Sequence, residues 1–339
     1  MPLLGRSLLD TRVLSRQEID AVFSKADAVG PRVTGQGLTP QTLSQTSSQD
    51  PSFSTPIGSV PAPTGPMTDA QGRVVCCLFF EPSTRTRMSF QMASYRLGLQ
   101  VLTMELSAGS SLSKGETLTD TILNFTAMKP DVLVVRYGNS LELDQLLPRV
   151  GVPVLNAGSG TNAHPTQALL DAYTLRTEWG DLQGRKVLIF GDVRHSRVAR
   201  SNFDVLGKLG AEVGVFGPEN MSLSPEEART FGVKLFSSFD EALPWADACM
   251  GLRVQLERHQ ERALDLASAS EYHEQYGLTN QRLKLIRPDA LILHPGPINH
   301  GVEFAPEVVN DPRSRVLQQV TNGVTVRAAL LALILGLKG

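Results

Sequence analysis

The sequence specifies an α/β protein of two domains, each a central, mainly parallel sheet flanked by helices. Three observations carry that expectation. At 339 residues the chain is long for a single hydrophobic core. From Val74 onward, short apolar runs alternate with segments of helical periodicity, which calls for crossover connections and therefore parallel strands. The alternation comes as two series, one ending near Asn156 and the next starting at Lys186.

Each element follows from local pattern. Ser15-Arg16-Gln17-Glu18 is a capping box, and Ile19, Val22, Phe23 and Ala26 follow at helical spacing, so a first helix is expected to about Val29. Residues 30–72 turn rich in Ser, Thr, Gln, Gly and Pro without a sustained period. They lack the apolar content to offset ordering entropy and are expected to form a flexible insertion, with a partner-binding arm or lid as the functional alternative. Strands are expected over 74–80, 101–106, 131–135 and 153–156, with a helix over 117–128. Pro165 suits the first position of a helix over 166–179. The second series has strands over 186–190, 212–216, 233–236, 247–250 and 290–293, with a helix over 196–209. Residues 313–335 become Ala/Leu-rich at helical spacing and are expected to pack back on the first half. The expected domains are therefore 1–164, joined by 321–339, and 165–320.

Composition removes several classes of function. A content of 41% hydrophobic and 19% charged residues is that of a soluble globular protein. The net charge of −2 argues against a nucleic-acid surface, so any anion must be held by local arginines. Three cysteines, two of them neighbours at Cys76 and Cys77, give neither a disulfide framework nor a zinc spacing. Residues 1–10 hold too short an apolar run for a signal peptide, and 328–335 fall far below a membrane span. The expectation is a cytoplasmic protein without membrane, metal or cofactor.

Side chains with chemistry to offer fall at the carboxyl ends of the expected strands, where parallel sheets bind ligands. Ser83-Thr84-Arg85-Thr86 lies where a strand hands over to a helix in which Met88, Met92, Tyr95 and Leu97 hold helical spacing. Outward N–H groups, the helix dipole, hydroxyls and a guanidinium suit a phosphate there, the plain alternative being a helix cap with an exposed arginine. Arg136 ends the 131–135 run on the same edge, or is a surface arginine. His164-Pro165-Thr166-Gln167 opens a helix, so the His164 ring and Gln167 amide address one spot, and the following Ala-Leu-Leu-Asp makes the pattern more specific. Gly191-Asp192, followed by His195-Ser196-Arg197, runs from strand to helix without the Gly-x-Gly-x-x-Gly of a nucleotide loop. Arg253-Val254-Gln255 follows another strand end. In 110–116, a polar loop, Ser113 with Glu116 offers a cap for the next helix. The prolines of His294-Pro295-Gly296-Pro297 leave carbonyls without competing N–H donors, ready to accept from a substrate amide.

Ser83 to Thr86 resembles the carbamoyl phosphate signature of the aspartate/ornithine carbamoyltransferase family. The later motifs repeat the resemblance in order, from the first helix to the last apart from 30–72. It implies that Ser83, Thr84, Arg85, Thr86 and Arg136 hold the phosphate of carbamoyl phosphate. Thr86, Arg136 and His164 would polarise its carbonyl, while Gln167 and the carbonyls at Gly296 and Pro297 orient its nitrogen. Lys114, Arg197, Arg253 and Gln255 would present the second substrate. Lys114 and either Ser110 or Ser111 would come from a neighbouring subunit, implying a homotrimer with shared sites and leaving open further assembly with regulatory or other pathway chains. Relatives often carry arginine at His300, so this chain departs there.

Within the family, ornithine enzymes usually carry a His-Cys-Leu-Pro loop and an acidic residue for the side-chain amine. This chain has His-Pro-Gly-Pro and two arginines, which suit a dicarboxylate. L-Aspartate is the expected acceptor, in de novo pyrimidine biosynthesis, with closure of the halves excluding water. A transcarbamylase for another amino acid and a catalytically silent structural or regulatory relative are the alternatives. The intact Lys114, Arg136, His164, Arg197 and Arg253 argue against the silent form.

Overall fold

The computed structural model describes residues 3–34, 67–105, 117–254 and 269–338. Ser110, Ser111, Ser113, Lys114, Glu116 and Gln255, together with 35–66 of the expected insertion, lie outside the described residues. The chain divides into two compact units, Met1–Gly160 with Thr321–Gly339, and Thr161–Val320. Both are α/β with parallel sheets, as the alternation of strand and helix requires.

The first unit holds β1 (Val74–Phe79), β2 (Gln100–Glu105), β3 (Val132–Tyr137) and β4 (Val154–Ser159), in the order β2-β1-β3-β4. Its helices are α1 (Arg16–Thr34), α2 (Thr84–Leu97), α3 (Leu118–Ala127) and α4 (Ser140–Leu146). The capping box of α1 forms: Ser15 N–H donates to Glu18 Oε2 at 2.8 Å and Glu18 N–H to Ser15 Oγ at 3.2 Å. The helix outruns its expected end near Val29 and passes Pro31 to reach Thr34. Val29 and Val33 continue the buried stripe begun by Ile19, Val22, Phe23 and Ala26, and that burial outweighs the N–H lost at Pro31. Met67 and Ala70 are buried as well, with Met67 N–H bonded to Leu97 O, so the expected insertion is corrected at both its ends.

The helix over 118–127 is capped by Thr117 with Asp120, which exchange both capping-box bonds. In α2 the inward face carries Ser89, Phe90, Ala93, Ser94 and Leu97. Met88, Met92 and Tyr95 instead form an exposed stripe.

The second unit orders its strands β7-β6-β5-β8-β9: β5 (Lys186–Phe190), β6 (Glu212–Phe216), β7 (Lys234–Leu235), β8 (Ala248–Gly251) and β9 (Leu291–Leu293). Around it lie α5 (Pro165–Trp179), α6 (Arg197–Lys208), α7 (Pro225–Phe231), α8 (Phe239–Trp245) and α9 (Ala269–Tyr276). Leu188, Phe190, Phe216, Phe239, Ile292 and Phe304 form its core, with Phe216 stacked on Phe239 at 4.8 Å. Gly214 makes room for two rings, because a Cβ there would meet Phe236 and Trp245 at 2.7 Å.

The last helix, α10 (Val316–Leu335), buries Ala328 through Ala332 as one apolar cylinder. Arg327 Nη1 donates to Ser89 Oγ of α2 at 2.8 Å. At its C-terminal end, Arg73 and Lys25 donate to the carbonyls of Leu335 and Leu337, each at 2.8 Å, placing cations where the helix dipole favours them.

The strand orders fix where a ligand site can form. In the first sheet the winding reverses between β1 and β3, and in the second between β5 and β8. Crevices open at the carboxyl ends of such strand pairs.

Candidate active site

The reversal in the first unit sets the turn after β1 beside the end of β3. Phe80 N–H bonds Arg136 O at 2.9 Å, and Arg136 lies within β3, which runs two residues past its expected end. Its side chain is largely buried, with Nη1 donating to Ala157 O at 3.2 Å and Nε lying 3.7 Å from Glu81 Oε2. The guanidinium is thus steered by a carbonyl and a carboxylate. Ser83 is the N-cap of the 14-residue helix α2, yet its hydroxyl makes no capping bond to that helix. An ordinary cap spends its hydroxyl on the N–H groups of the first turn, which Ser83 does not do here. Thr84 and Arg85 are exposed, Ser83 half-buried and Thr86 buried.

In the second unit, His164 and Gln167 open α5. The division after Gly160 places His164 in this unit rather than with 1–164, and His164 N–H donates to Ser201 Oγ at 2.9 Å. Both side chains are buried. The His164 ring does not cap its helix. Gln167 Nε2 donates to Asp171 Oδ1 at 2.8 Å, one helical turn on. Asp171 is fully buried and also accepts from Asn202 at 2.9 Å and Gln319 at 2.7 Å.

Arg197 and Arg253 flank the second reversal. Arg197 is the first residue of α6, whose N-cap Ser196 accepts from Ala199 N–H, and Arg253 follows β8 by two residues; both are half-buried. The strand ends approach closely because Gly191 has φ 109°, and a Cβ on it would stand 2.9 Å from Leu252 O. The His294-Pro295-Gly296-Pro297 loop leaves β9 with His294 N–H bonded to Gln319 Oε1 at 2.8 Å and Gly296 N–H to His294 Nδ1 at 2.9 Å. His300 is exposed.

A buried carboxylate joins the Arg253 loop to this one. Glu303 Oε1 accepts from Val254 N–H at 2.6 Å and from Asn299 Nδ2 at 2.8 Å, while Oε2 accepts from Asn299 N–H at 2.7 Å. Asn299 Nδ2 also reaches Val254 O at 3.1 Å. Burial pushes the Glu303 carboxyl above its ordinary pKa, against the pull of those N–H donors. The sequence reading gave no role to Asp171, Asn202, Asn299, Glu303 or Gln319. Only Asp171 had a local signal, an amide–carboxylate pair at i,i+4.

The three cysteines sit in strands and are buried. Burial raises Cys76 to about 11 and Cys77 and Cys249 to about 12, which makes them packing groups rather than nucleophiles. Among the described residues no His, Cys, Asp and Glu side chains gather as a metal cage, and no helix is long and apolar enough to cross a membrane.

Residues 6–177 match the family model of the aspartate/ornithine carbamoyltransferase carbamoyl-P binding domain, and residues 183–334 that of its Asp/Orn binding domain. The chain belongs to the aspartate/ornithine carbamoyltransferase family. A family member from Gemmatimonas aurantiaca, named aspartate carbamoyltransferase catalytic subunit, is 50% identical over 266 residues, 78% of this chain and 82% of that protein. One of the same name from Desulfosudis oleivorans is 40% identical over 336 residues, 99% of this chain and 98% of its own. Among solved carbamoyltransferases, aspartate transcarbamoylase from Trypanosoma cruzi in complex with carbamoyl phosphate and aspartate superposes with a TM-score of 0.80. It is 28% identical over 98% of each chain.

Proposed function

We infer that the chain transfers the carbamoyl group of carbamoyl phosphate to the amine of L-aspartate, giving N-carbamoyl-L-aspartate and phosphate, the step that serves de novo pyrimidine biosynthesis. The observation that carries this reading is the placement of Arg136 and Arg253 at the strand ends where the two sheets reverse, each in its matching motif. The first unit, 1–160 with 321–339, carries the phosphate site, and the second, 161–320, carries the aspartate site together with His164, Gln167, Gly296 and Pro297 for the carbamoyl group.

Carbamoyl phosphate carries a carbonyl between an amine and a phosphate leaving group, so catalysis needs an oriented nucleophile and stabilised charge. N–H groups at the start of α2, with Ser83, Thr84, Arg85, Thr86 and Arg136, hold the phosphate. Thr86, Arg136 and His164 draw electron density onto the carbonyl oxygen. Gln167 and the carbonyls at Gly296 and Pro297 take the carbamoyl N–H groups. Arg197 and Arg253 grip the carboxylates of aspartate, assisted by Lys114 and Gln255. The aspartate nitrogen attacks the carbonyl carbon, a C–N bond forms as the C–O bond to phosphate breaks, and the departing phosphate takes the amine proton. Neither a covalent enzyme intermediate nor a dedicated base is needed.

The reading is tested by incubating the purified chain with carbamoyl phosphate and either aspartate or ornithine, then identifying the product. Carbamoyl aspartate is expected, and is lost in Arg253→Ala. Carbamoyl ornithine overturns the choice of substrate, and a folded chain without product favours a silent relative.

We further propose a homotrimer, of cytoplasmic location, in which Lys114 serves a neighbouring site. Its support is the exposed stripe of Met88, Met92 and Tyr95 on α2, an apolar surface that suits a second copy of this chain. Sedimentation should give a trimer for the wild type and a smaller species for Met92→Glu/Tyr95→Glu. Equal masses would count against this surface.

A further inference from the structure

We propose that Asp171 is a positioning residue that fixes which end of the Gln167 amide faces the substrate and, through Gln319, anchors the loop carrying the other carbamoyl-nitrogen acceptors. The proposal rests on the carbamoyl-transfer reading above and adds to it what makes the site distinguish an amine from a methyl group.

The argument is one of donors and acceptors. A side-chain amide has an oxygen that only accepts and a nitrogen that only donates, and which of them faces a ligand is set by its other neighbours. An ionised carboxylate accepts only, so Asp171 Oδ1, at 2.8 Å from Gln167, commits that residue's nitrogen to the interior and turns its oxygen away. Gln167 is thereby an acceptor toward the ligand, as a carbamoyl N–H requires. The same Oδ1 takes Gln319 Nε2 at 2.7 Å, which commits Gln319 Oε1 to His294 N–H at 2.8 Å. His294 Nδ1 in turn receives the Gly296 N–H at 2.9 Å. One carboxylate therefore sets the orientation of both acceptor groups, the Gln167 oxygen and the backbone from His294 to Pro297. Asn202 Nδ2, which also bonds Val198 O at 3.0 Å, occupies Oδ2 at 2.9 Å and holds the carboxylate in the plane this requires. Asp171 and Asn202 are fully buried, and Gln319 nearly so.

The test compares two ligands that differ at one group. Acetyl phosphate has the carbonyl and phosphate of carbamoyl phosphate but a methyl group in place of the amine. In Asp171→Asn the amide that replaces the carboxylate no longer dictates the Gln167 orientation. The carbamoyl phosphate KM should rise about tenfold, the equivalent of one lost hydrogen bond, while the inhibition constant of acetyl phosphate changes less than about threefold. Gln319→Leu, on a different helix, leaves Asp171 in place and should likewise lower the ratio of the acetyl phosphate inhibition constant to the carbamoyl phosphate KM, so the proposal stays testable if Asp171→Asn folds poorly. An equal loss for both ligands in both variants means a merely structural role and overturns the proposal. Gln167→Leu separates the two levels of inference. If it lowers the ratio and Asp171→Asn and Gln319→Leu do not, the positioning role fails while the function stands. If Gln167→Leu has no effect on carbamoyl phosphate, the reading of Gln167 falls and this proposal with it.

Discussion

Arg136→Ala should lower kcat/KM for carbamoyl transfer by about 10²–10³-fold, the usual cost of removing one preorganised donor from a site where negative charge develops. Arg136 is assigned both to the phosphate and to the carbonyl oxygen, and charge grows on both as the C–O bond breaks. Its guanidinium is already aimed before any substrate arrives, by Ala157 O at 3.2 Å and Glu81 at 3.7 Å, so little reorganisation is left to oppose binding. Arg136→Lys keeps the charge but not the planar fork, and one ammonium cannot meet the carbonyl, the carboxylate and the ligand together. It should recover only a minor part of the loss, mostly in KM. Steady-state kinetics on both variants, with circular dichroism to confirm folding, decide the matter. A lysine variant with near wild-type kcat would mean that Arg136 acts as a point charge, and an active alanine variant would remove it from the site.

How much of this was legible in the sequence depends on how far apart the partners lie. Ser83 to Thr86, His164 to Gln167 and His294 to Pro297 are local motifs at element ends, and a strand handing over to a helix can be read from neighbouring residues. Strands β5 and β6 start and stop where expected because charged or glycine residues bound their apolar runs. The short helices α7 and α8 were passed over, although Ser224 and Glu227 form a capping box ahead of the first. The exposure of Met88, Met92 and Tyr95 was illegible for another reason: helical spacing marks an apolar face without saying whether the same chain covers it. The polar supports of the site were the least visible. Gln319 lies 148 residues from Asp171, and Glu303 lies 49 from Val254, so only the fold brings donor and acceptor together.

Glu303 gives the largest effect expected on stability. Its carboxylate is 1% exposed and holds three N–H groups from the two loops that carry Arg253 and Pro297. Glu303→Ala strands those donors and should lower the free energy of unfolding by roughly 3 kcal/mol, at about 1–3 kcal/mol for each buried group left unbonded and with partial relaxation of the loops. Glu303→Gln is the informative variant for function. It keeps one acceptor oxygen but sets an amide N–H₂ against either Val254 N–H or Asn299 N–H, which loosens the Arg253 loop. The KM for aspartate should rise more than that for carbamoyl phosphate. The pH dependence has a definite sign. Burial raises the folded pKa of Glu303 above its ordinary 4.5, so the folded chain binds this proton more tightly than the unfolded chain does. The stability from that linkage is complete below 4.5 and is lost as pH rises through the folded value. Glutamine cannot ionise, so the stability of the wild type measured against Glu303→Gln should fall as pH is raised from 4.5 toward neutrality. Urea denaturation of both proteins across that range checks it. A difference that grows with pH would mean that the three N–H donors outweigh burial and that the carboxylate form is the one the fold prefers.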